Sequence, residues 1–257
     1  MKIFAIGDIC GEVGLKTLGR LLGTFKKLKG IDFTVANGEN AAGMGIAPRD
    51  AERIYGAGVD VITLGNHAWG RRELLEYIDD DRYMLRPANM TDKNPGGGFG
   101  VFDAPRGTRI AVISMLGRLF MDANMDNPFF KADAILKQID TPIILLDFHA
   151  EATSEKAAFA RYLDGRASAV FGTHTHVQTA DEQIFAGGTG FISDLGMTGP
   201  ENSILGIEIE NAISIFIGKP RKGSRQAEGK GILCGAIFEV DENSGKCLAV
   251  ERVRLVD

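Results

Sequence analysis

Eight side chains in this chain of 257 residues have the chemistry to bind a metal ion or move a proton, and each stands just after a short apolar run. They are Asp8, Glu39, Asn40, Asn66, His67, His149, His174 and His176, and they include all four histidines of the chain. His174 and His176 lie one residue apart in GTHTHVQTAD (172–181). On a strand such residues point to opposite faces. They can meet at one site only where the strand has ended and the backbone is turning. The run 167–171 stops at Gly172, which puts both rings on a loop. An edge hairpin carrying two solvated histidines is the alternative. Carboxylates, carboxamides and imidazoles are hard or borderline donors, suited to Fe, Mn or Zn. Eight such groups exceed the roughly four that one tetrahedral ion takes. Two ions sharing a bridging carboxylate, about 3.5–4 Å apart, would use them and would clamp a phosphorus for in-line displacement.

The elements that must position these groups alternate. The runs 2–7, 31–36 and 59–64 read as buried strands. Between and after them, 14–28, the stretch opened by Pro48 and ended by Gly56 or Gly58, and 71–78 read as helices. Such an order predicts parallel strands with right-handed crossovers. The strand ends then share one sheet edge, where ligands bind. Further on, 84–89 is extended, 100–103 and 108–115 form an antiparallel pair, and a helix runs from Asn127-Pro128 to Leu136. A strand at 142–148 leads to His149, and a helix at 153–163 starts from a Thr153 or Ser154 cap. After residue 183 the β-like runs are 183–186, 189–192, 232–240 and 248–255, with a helix at 208–217. The expected architecture is a single α/β domain over 1–257, parallel in its first half and more antiparallel in its second. Two facing mixed β-sheets flanked by helices, an αββα sandwich, would bury both halves. Gly7, Gly38, Gly65 and Gly172 beside the polar residues are expected to allow sharp turns and close substrate approach.

The net charge of -5 and pI near 5.5 give no general reason to expect a nucleic-acid or membrane partner. Cys10, Cys234 and Cys247 lack zinc-type spacing and leave one unpaired in any disulfide scheme, which suits a reducing compartment. The opening MKIFAIGDICG is too short for a signal peptide, and no apolar stretch approaches ~18 residues. A cytoplasmic location is expected.

Together GDICG, NGEN, GNHAWG, DFHAEATSEK and GTHTHVQTAD resemble the calcineurin-like metallophosphoesterases. Within them they resemble the bacterial YmdB-like branch, similar to 2′,3′-cyclic-nucleotide phosphodiesterases. RPANM, LGR and TGP extend the likeness nearly end to end. Two departures from the broad superfamily fit the branch. The usual Asp-x-His opening is Asp8-Ile9-Cys10, and the usual bridging aspartate is Glu39. The resemblance implies one ion on Asp8, Glu39, Asn40 and His176 and a second on Glu39, Asn66, His149 and His174. It implies Fe first, with Mn or Zn also accepted. His67, left free of metal, is the implied proton donor to the leaving group. The implied reaction is in-line attack on a small cyclic nucleotide by a metal-bound hydroxide. A phosphomonoesterase or nuclease could use the same two ions, and a regulatory metal- or nucleotide-binding protein with incidental turnover is the rival of another class. RNA is not indicated as a partner, no membrane is expected, and homo-oligomerisation is compatible.

Several residues carry competing readings. Asp8 could cap the first helix. Cys10 is a small buried hydrophobe or a soft ligand. Trp69 is a base-stacking surface or a pocket wall. Arg86 and Arg118 could reach a substrate phosphate. The basic stretch 219–230 is a solvated loop or a flap facing phosphate.

Overall fold

The computed structural model describes residues 1–121, 125–219 and 225–257. The first half forms β1 (Lys2–Ile6), β2 (Asp8–Ile9), α1 (Gly11–Lys29), β3 (Phe33–Asn37), α2 (Pro48–Gly56), β4 (Val61–Thr63), α3 (Leu74–Tyr77), β5 (Met84–Leu85), β6 (Phe99–Asp103) and β7 (Arg109–Leu116). There follow α4 (Pro128–Leu136), β8 (Ile143–His149), α5 (Thr153–Tyr162), β9 (Ala169–Thr173), β10 (Gln183–Ile184), β11 (Gly190–Ile192), β12 (Met197–Pro200), α6 (Ile209–Phe216), β13 (Gly231–Val240) and β14 (Cys247–Val256).

The strands make two sheets. In the first, β1, β3, β4 and β5 run parallel side by side, and β13 lies antiparallel on the other side of β1. β13 carries β14 on its far edge, while β12 pairs with its first residues and with β2. In the second sheet β7, β8, β9 and β11 are parallel, with β6 and β10 antiparallel at the two edges. The second half is therefore less antiparallel than its turn-rich sequence suggests. Its β-α-β units build a parallel core of their own, and β12, β13 and β14 return to the first sheet.

Strands buried on both faces need apolar residues on both, and the period of two sorts them. Ile3 and Ala5 face the second sheet, packing with Val35, Val61, Val112, Leu145, Ala169 and Phe171. Phe4 and Ile6 face outward, beneath Leu18 and Leu22 of α1 and Ile54 of α2. On the far side Ile113, Leu146 and Phe148 pack under Ile135 of α4 and Phe159 of α5. These three layers of side chains are the αββα sandwich. Phe159 is fully buried, a burial that favours folding by about 1.5–3 kcal/mol.

Element ends differ from the expected ones for local reasons. α1 begins at Gly11, three residues early, and Gly11 itself has φ 60°, a left-handed conformation glycine takes without strain. Its N-cap is Cys10, without a side-chain cap, so Asp8 is not a helix cap. α5 is preceded by Ala152, also without a side-chain cap. Thr153 and Ser154 lie inside its first turn. The helix expected over 71–78 shrinks to Leu74–Tyr77. β2 and β12, of 2 and 4 residues, are too short to leave a periodic signal. Of the basic stretch 219–230, residues 220–224 lie outside the described residues. Gln226, just beyond them, packs against Gly11 and Gly43.

Candidate metal centre

The alternation that builds the core also builds the site. The strand face turned toward the opposite sheet runs Val35 to Asn37, Val61 to Thr63, Leu145 to Asp147 to His149, and Phe171 to Thr173. At the carboxyl ends of β3, β4, β8 and β9 this face changes from apolar to polar, and the polar side chains meet between the sheets. Asp147, fully buried, accepts hydrogen bonds from Asn37 Nδ2 (3.1 Å), Thr63 Oγ1 (2.5 Å) and Thr173 Oγ1 (2.6 Å). Having donated to Asp147, the Thr173 hydroxyl can only accept from His149 Nδ1, 2.9 Å away. That assigns the ring proton to Nδ1 and leaves the Nε2 lone pair facing the site.

Around His149 Nε2 stand Asn66 Oδ1 at 2.9 Å, His174 Nδ1 at 3.0 Å and Glu39 Oε1 at 3.1 Å. Glu39, His149 and His174 form a group whose donor atoms lie within 4.8 Å of one another. Four lone-pair donors aimed at one point repel unless positive charge sits among them. Burial pushes the pKa of His149 down, but the Glu39 carboxylate outweighs it and holds the imidazole above its usual value. A proton there supplies one charge, and a divalent ion would supply two. Gly65 forms part of the cradle: a Cβ there would run into Glu39 Oε2 and the His149 ring.

The second group centres on Asp8. Its carboxylate is fully buried, and its Oδ2 accepts from His174 N at 3.1 Å. Its Oδ1 has no hydrogen-bond partner, an expensive state for a buried charge. His176 Nε2 lies 3.8 Å from that oxygen and His149 Nδ1 3.9 Å. Burial raises the Asp8 carboxyl to about 6 against the opposing pull of the His176 and His149 imidazoles. Asn40 Nδ2 is 3.2 Å from His176 Nε2 and 3.1 Å from Glu39 Oε1, and Asn40 Oδ1 is 3.0 Å from His67 Nδ1. In this orientation the amide joins His67 to His176. Ligation through its oxygen would require a half-turn of the carboxamide, which exchanges atoms that differ little in shape. The orphaned Asp8 oxygen, the inward lone pairs and the cradle at Gly65 all fit bound metal cations.

The loop after β9 solves the alternation problem by turning left-handed at both histidines, with φ 102° at His174 and 64° at His176. Each such non-glycine residue costs about 1–3 kcal/mol and persists only where its surroundings impose it. His174 Nε2 is 3.1 Å from Glu151 Oε2, and His176 Nδ1 is 3.1 Å from the Leu205 carbonyl. Burial and the neighbouring His149 push the His174 pKa down to about 4, so that ring is a neutral donor. Burial raises Glu39, but the imidazoles of His149 and His67 outweigh it and keep the carboxylate ionised.

All eight singled-out residues gather here. His67 stands at the rim, half-buried, with its backbone N–H donating to Glu39 Oε2 at 2.9 Å. The glycines beside the site act differently from expectation. Gly7, Gly38, Gly65 and Gly172 have no left-handed φ, and each is small because a neighbour lies against it. Cys10 is buried 3.7 Å from the His176 ring, and burial holds its thiol well above the ordinary value, so it packs as a protonated side chain. Trp69 is partly buried and packs against the outer core of the first sheet. Arg86 is buried and donates to the carbonyls of Pro95, Pro87 and Asn94, which removes it as a phosphate ligand. Arg118 is exposed. The residues that sequence reasoning missed are Asn37, Thr63, Asp147, Thr173 and Glu151. A carboxylate inside the apolar run of β8 was the available signal for Asp147, because an unpaired charge there would be untenable.

A protein family described as YmdB-like protein matches residues 4–253. The chain is 42% identical over 260 residues to a Bacillus subtilis protein named 2′,3′-cyclic-nucleotide 2′-phosphodiesterase, covering 100% of this chain and 98% of that one. A crystal structure of a Thermus thermophilus hypothetical protein superposes with TM-score 0.93 at 37% identity, covering 100% of both chains. A crystal structure of a Mycoplasma pneumoniae protein, titled a novel phosphatase, gives TM-score 0.93 at 32% identity over 100% of this chain and 93% of that one.

Proposed function

The chain belongs to the YmdB-like family, and we propose that it is a dinuclear metal-dependent phosphodiesterase hydrolysing 2′,3′-cyclic nucleotides. The observation that carries this is the convergence of Glu39, Asn66 and His174 on His149 Nε2 beside the partnerless oxygen of Asp8. The Bacillus subtilis relative's name supports the choice of substrate.

In this proposal Asp8, Asn40 and His176 would hold one ion, Asn66, His149 and His174 would hold the other, and Glu39 would serve both. Fe is the first choice, with Mn or Zn accepted by the same donors. Two such ions supply an acidified water and positive charge for the phosphoryl oxygens. Glu39 keeps the two ligand groups in register through its contacts with His149 and with Asn40. Asp147, through Thr173, keeps the His149 lone pair directed inward. His67 is the proton donor to the leaving hydroxyl. Its Nδ1 faces the Asn40 carboxamide. With that amide turned to ligate through its oxygen, Asn40 Nδ2 would donate to Nδ1 and leave the ring proton on Nε2, toward the leaving hydroxyl. A cyclic 2′,3′-phosphate keeps its leaving oxygen on the same ribose, so one donor at the rim suffices.

Among the described residues no helix is long and apolar enough to cross a membrane, and the three cysteines are free and buried. Both support a cytoplasmic enzyme. The core shared by the two sheets supports one domain over 1–257, and sedimentation would report the oligomeric state. The test of function is turnover of 2′,3′-cyclic, 3′,5′-cyclic and linear phosphodiesters and of phosphomonoesters, assayed with Fe, Mn and Zn. Preference for a phosphomonoester or a linear strand would replace the cyclic-nucleotide assignment.

A further inference from the structure

The turn after β11 touches both halves of the centre. Asp194 in this turn is almost wholly buried, as is Lys156 of α5, and Lys156 Nζ donates to Asp194 Oδ2 at 2.7 Å. The same oxygen accepts from Thr175 N at 3.1 Å and Thr175 Oγ1 at 2.8 Å. Asp194 Oδ1 accepts from Gly196 N at 2.9 Å. Thr175 is the residue between His174 and His176, so one carboxylate grips the peptide whose two neighbours both adopt left-handed backbone. Backbone bonds extend the grip: Thr179 N donates to Asp194 O at 3.1 Å and Leu195 N to Gly172 O at 2.8 Å. From the same turn Gly196 O accepts from Asp8 N at 3.1 Å, on the first sheet's side of the site.

Two glycines are small because of this turn. A Cβ on Gly172 would run into Ser193 O and come within 2.9 Å of Lys156 Cδ, and a Cβ on Gly7 would run into Gly196 O. The glycine that opens GTHTH and the one that precedes Asp8 therefore serve one docking surface. A buried ion pair adds little net stability relative to apolar packing, because removing two charges from water is costly. Its directional acceptors are what an apolar pair could not supply.

We infer that Asp194, held by Lys156, is a positioning residue that sets the distance between the ligands of the two sheets, Asp8 on one and His174 and His176 on the other. The inference rests on the metal-centre reading above and adds to it the device that spaces the ligands from the two sheets. The carboxylate must satisfy four donors at once: the Lys156 ammonium, the Thr175 N–H and hydroxyl, and the Gly196 N–H. An amide in its place turns one acceptor into a donor and releases the loop at one of these points.

Calorimetric titration of the chelator-treated protein with Mn²⁺ tests this without any assay of turnover. Asp194→Asn should weaken Mn²⁺ binding about ten-fold or more, the range in which supporting groups of metal ligands act. Lys156→Met/Asp194→Asn leaves no buried charge unpaired, which guards against misfolding, and the same loss is expected because the amide still faces Thr175 and Gly196. Phe159→Leu, in the outer core of the second sheet, is the control for general destabilisation and should bind Mn²⁺ as the unaltered chain does. Unaltered affinity in the foldable Asp194 variants, or an equal loss in Phe159→Leu, would overturn the inference. An unaltered chain that binds no Mn²⁺, Fe²⁺ or Zn²⁺ would instead remove the metal centre itself.

Discussion

Glu39 Oε1 and His149 Nε2 lie 3.1 Å apart although they come from different sheets, Glu39 from the loop after β3 and His149 from the end of β8. Their meeting closes the site, because each sheet alone carries only part of the donor set.

Replacing Glu39 with Gln should abolish turnover and weaken both metals together, since a neutral amide offers one poor ligand oxygen where the carboxylate offers two. Elemental analysis after reconstitution would report it. Retention of one ion with turnover intact would refute the bridging assignment.

His67→Gln should lower turnover most for diesters with poor leaving groups and leave metal content unchanged, because proton donation matters most where the departing oxygen is most basic. A loss of about 10²-fold or more in kcat for such substrates is expected. Metal loss in this variant would make His67 a ligand.

Thr173→Val keeps the shape of the side chain and deletes the hydroxyl that joins Asp147 to His149. Buried groups left without partners cost about 1–3 kcal/mol each, and metal affinity should fall about 10–100-fold as the His149 ring loses its anchor. Thermal unfolding and metal titration would read the two effects separately, and unchanged metal affinity would count against the relay.

Gly65→Ala places a methyl group where the Glu39 carboxylate and the His149 ring stand. Both side chains would have to move. Overpacking of about 1–3 kcal/mol is expected, together with loss of the ion between them. Alanine here with metal content intact would mean that the cradle has room to spare.

Asp181, at the end of the GTHTHVQTAD segment, yields a pH prediction. Burial pushes its carboxyl up, but hydrogen bonds from the Ser193 and Thr179 hydroxyls and from the Ser193 N–H outweigh that and hold it below the ordinary 3.8. A group depressed in the folded state stabilises fully above its unfolded value and loses that contribution as pH falls through the folded value. Asp181→Asn should therefore be less stable than the unaltered chain at neutral pH, with the gap closing below 3.8. A gap that is constant across acid titration would show that the charge plays no part.

The sequence was most legible where chemistry and periodicity coincide. Glu39, Asn66, His149 and His174 each follow an apolar run, and short-range grammar suffices to place such residues at one edge of an α/β sheet. Asp194 and Lys156 were invisible because their partnership spans 38 positions: Lys156 lies inside a helix, and Asp194, although it follows the run 189–192, reads alone as an ordinary turn residue. Asn37 and Thr63 looked like ordinary strand residues, since a single polar letter at a strand end does not say what it will face.

By itself the sequence determined the order of the longer elements, the alternation that makes both faces of the central strands apolar, and the set of donors available to a metal. Those follow from local rules of backbone period and from the chemistry of side chains. Only the tertiary structure decided that β7, β8, β9 and β11 form a second parallel core, that Asp147 orients His149 through Thr173, and that left-handed backbone at His174 and His176 turns an alternating pair toward one site. Each of these depends on contacts between segments far apart in the chain, where burial and hydrogen-bond satisfaction of the whole molecule outweigh the preference of any one stretch.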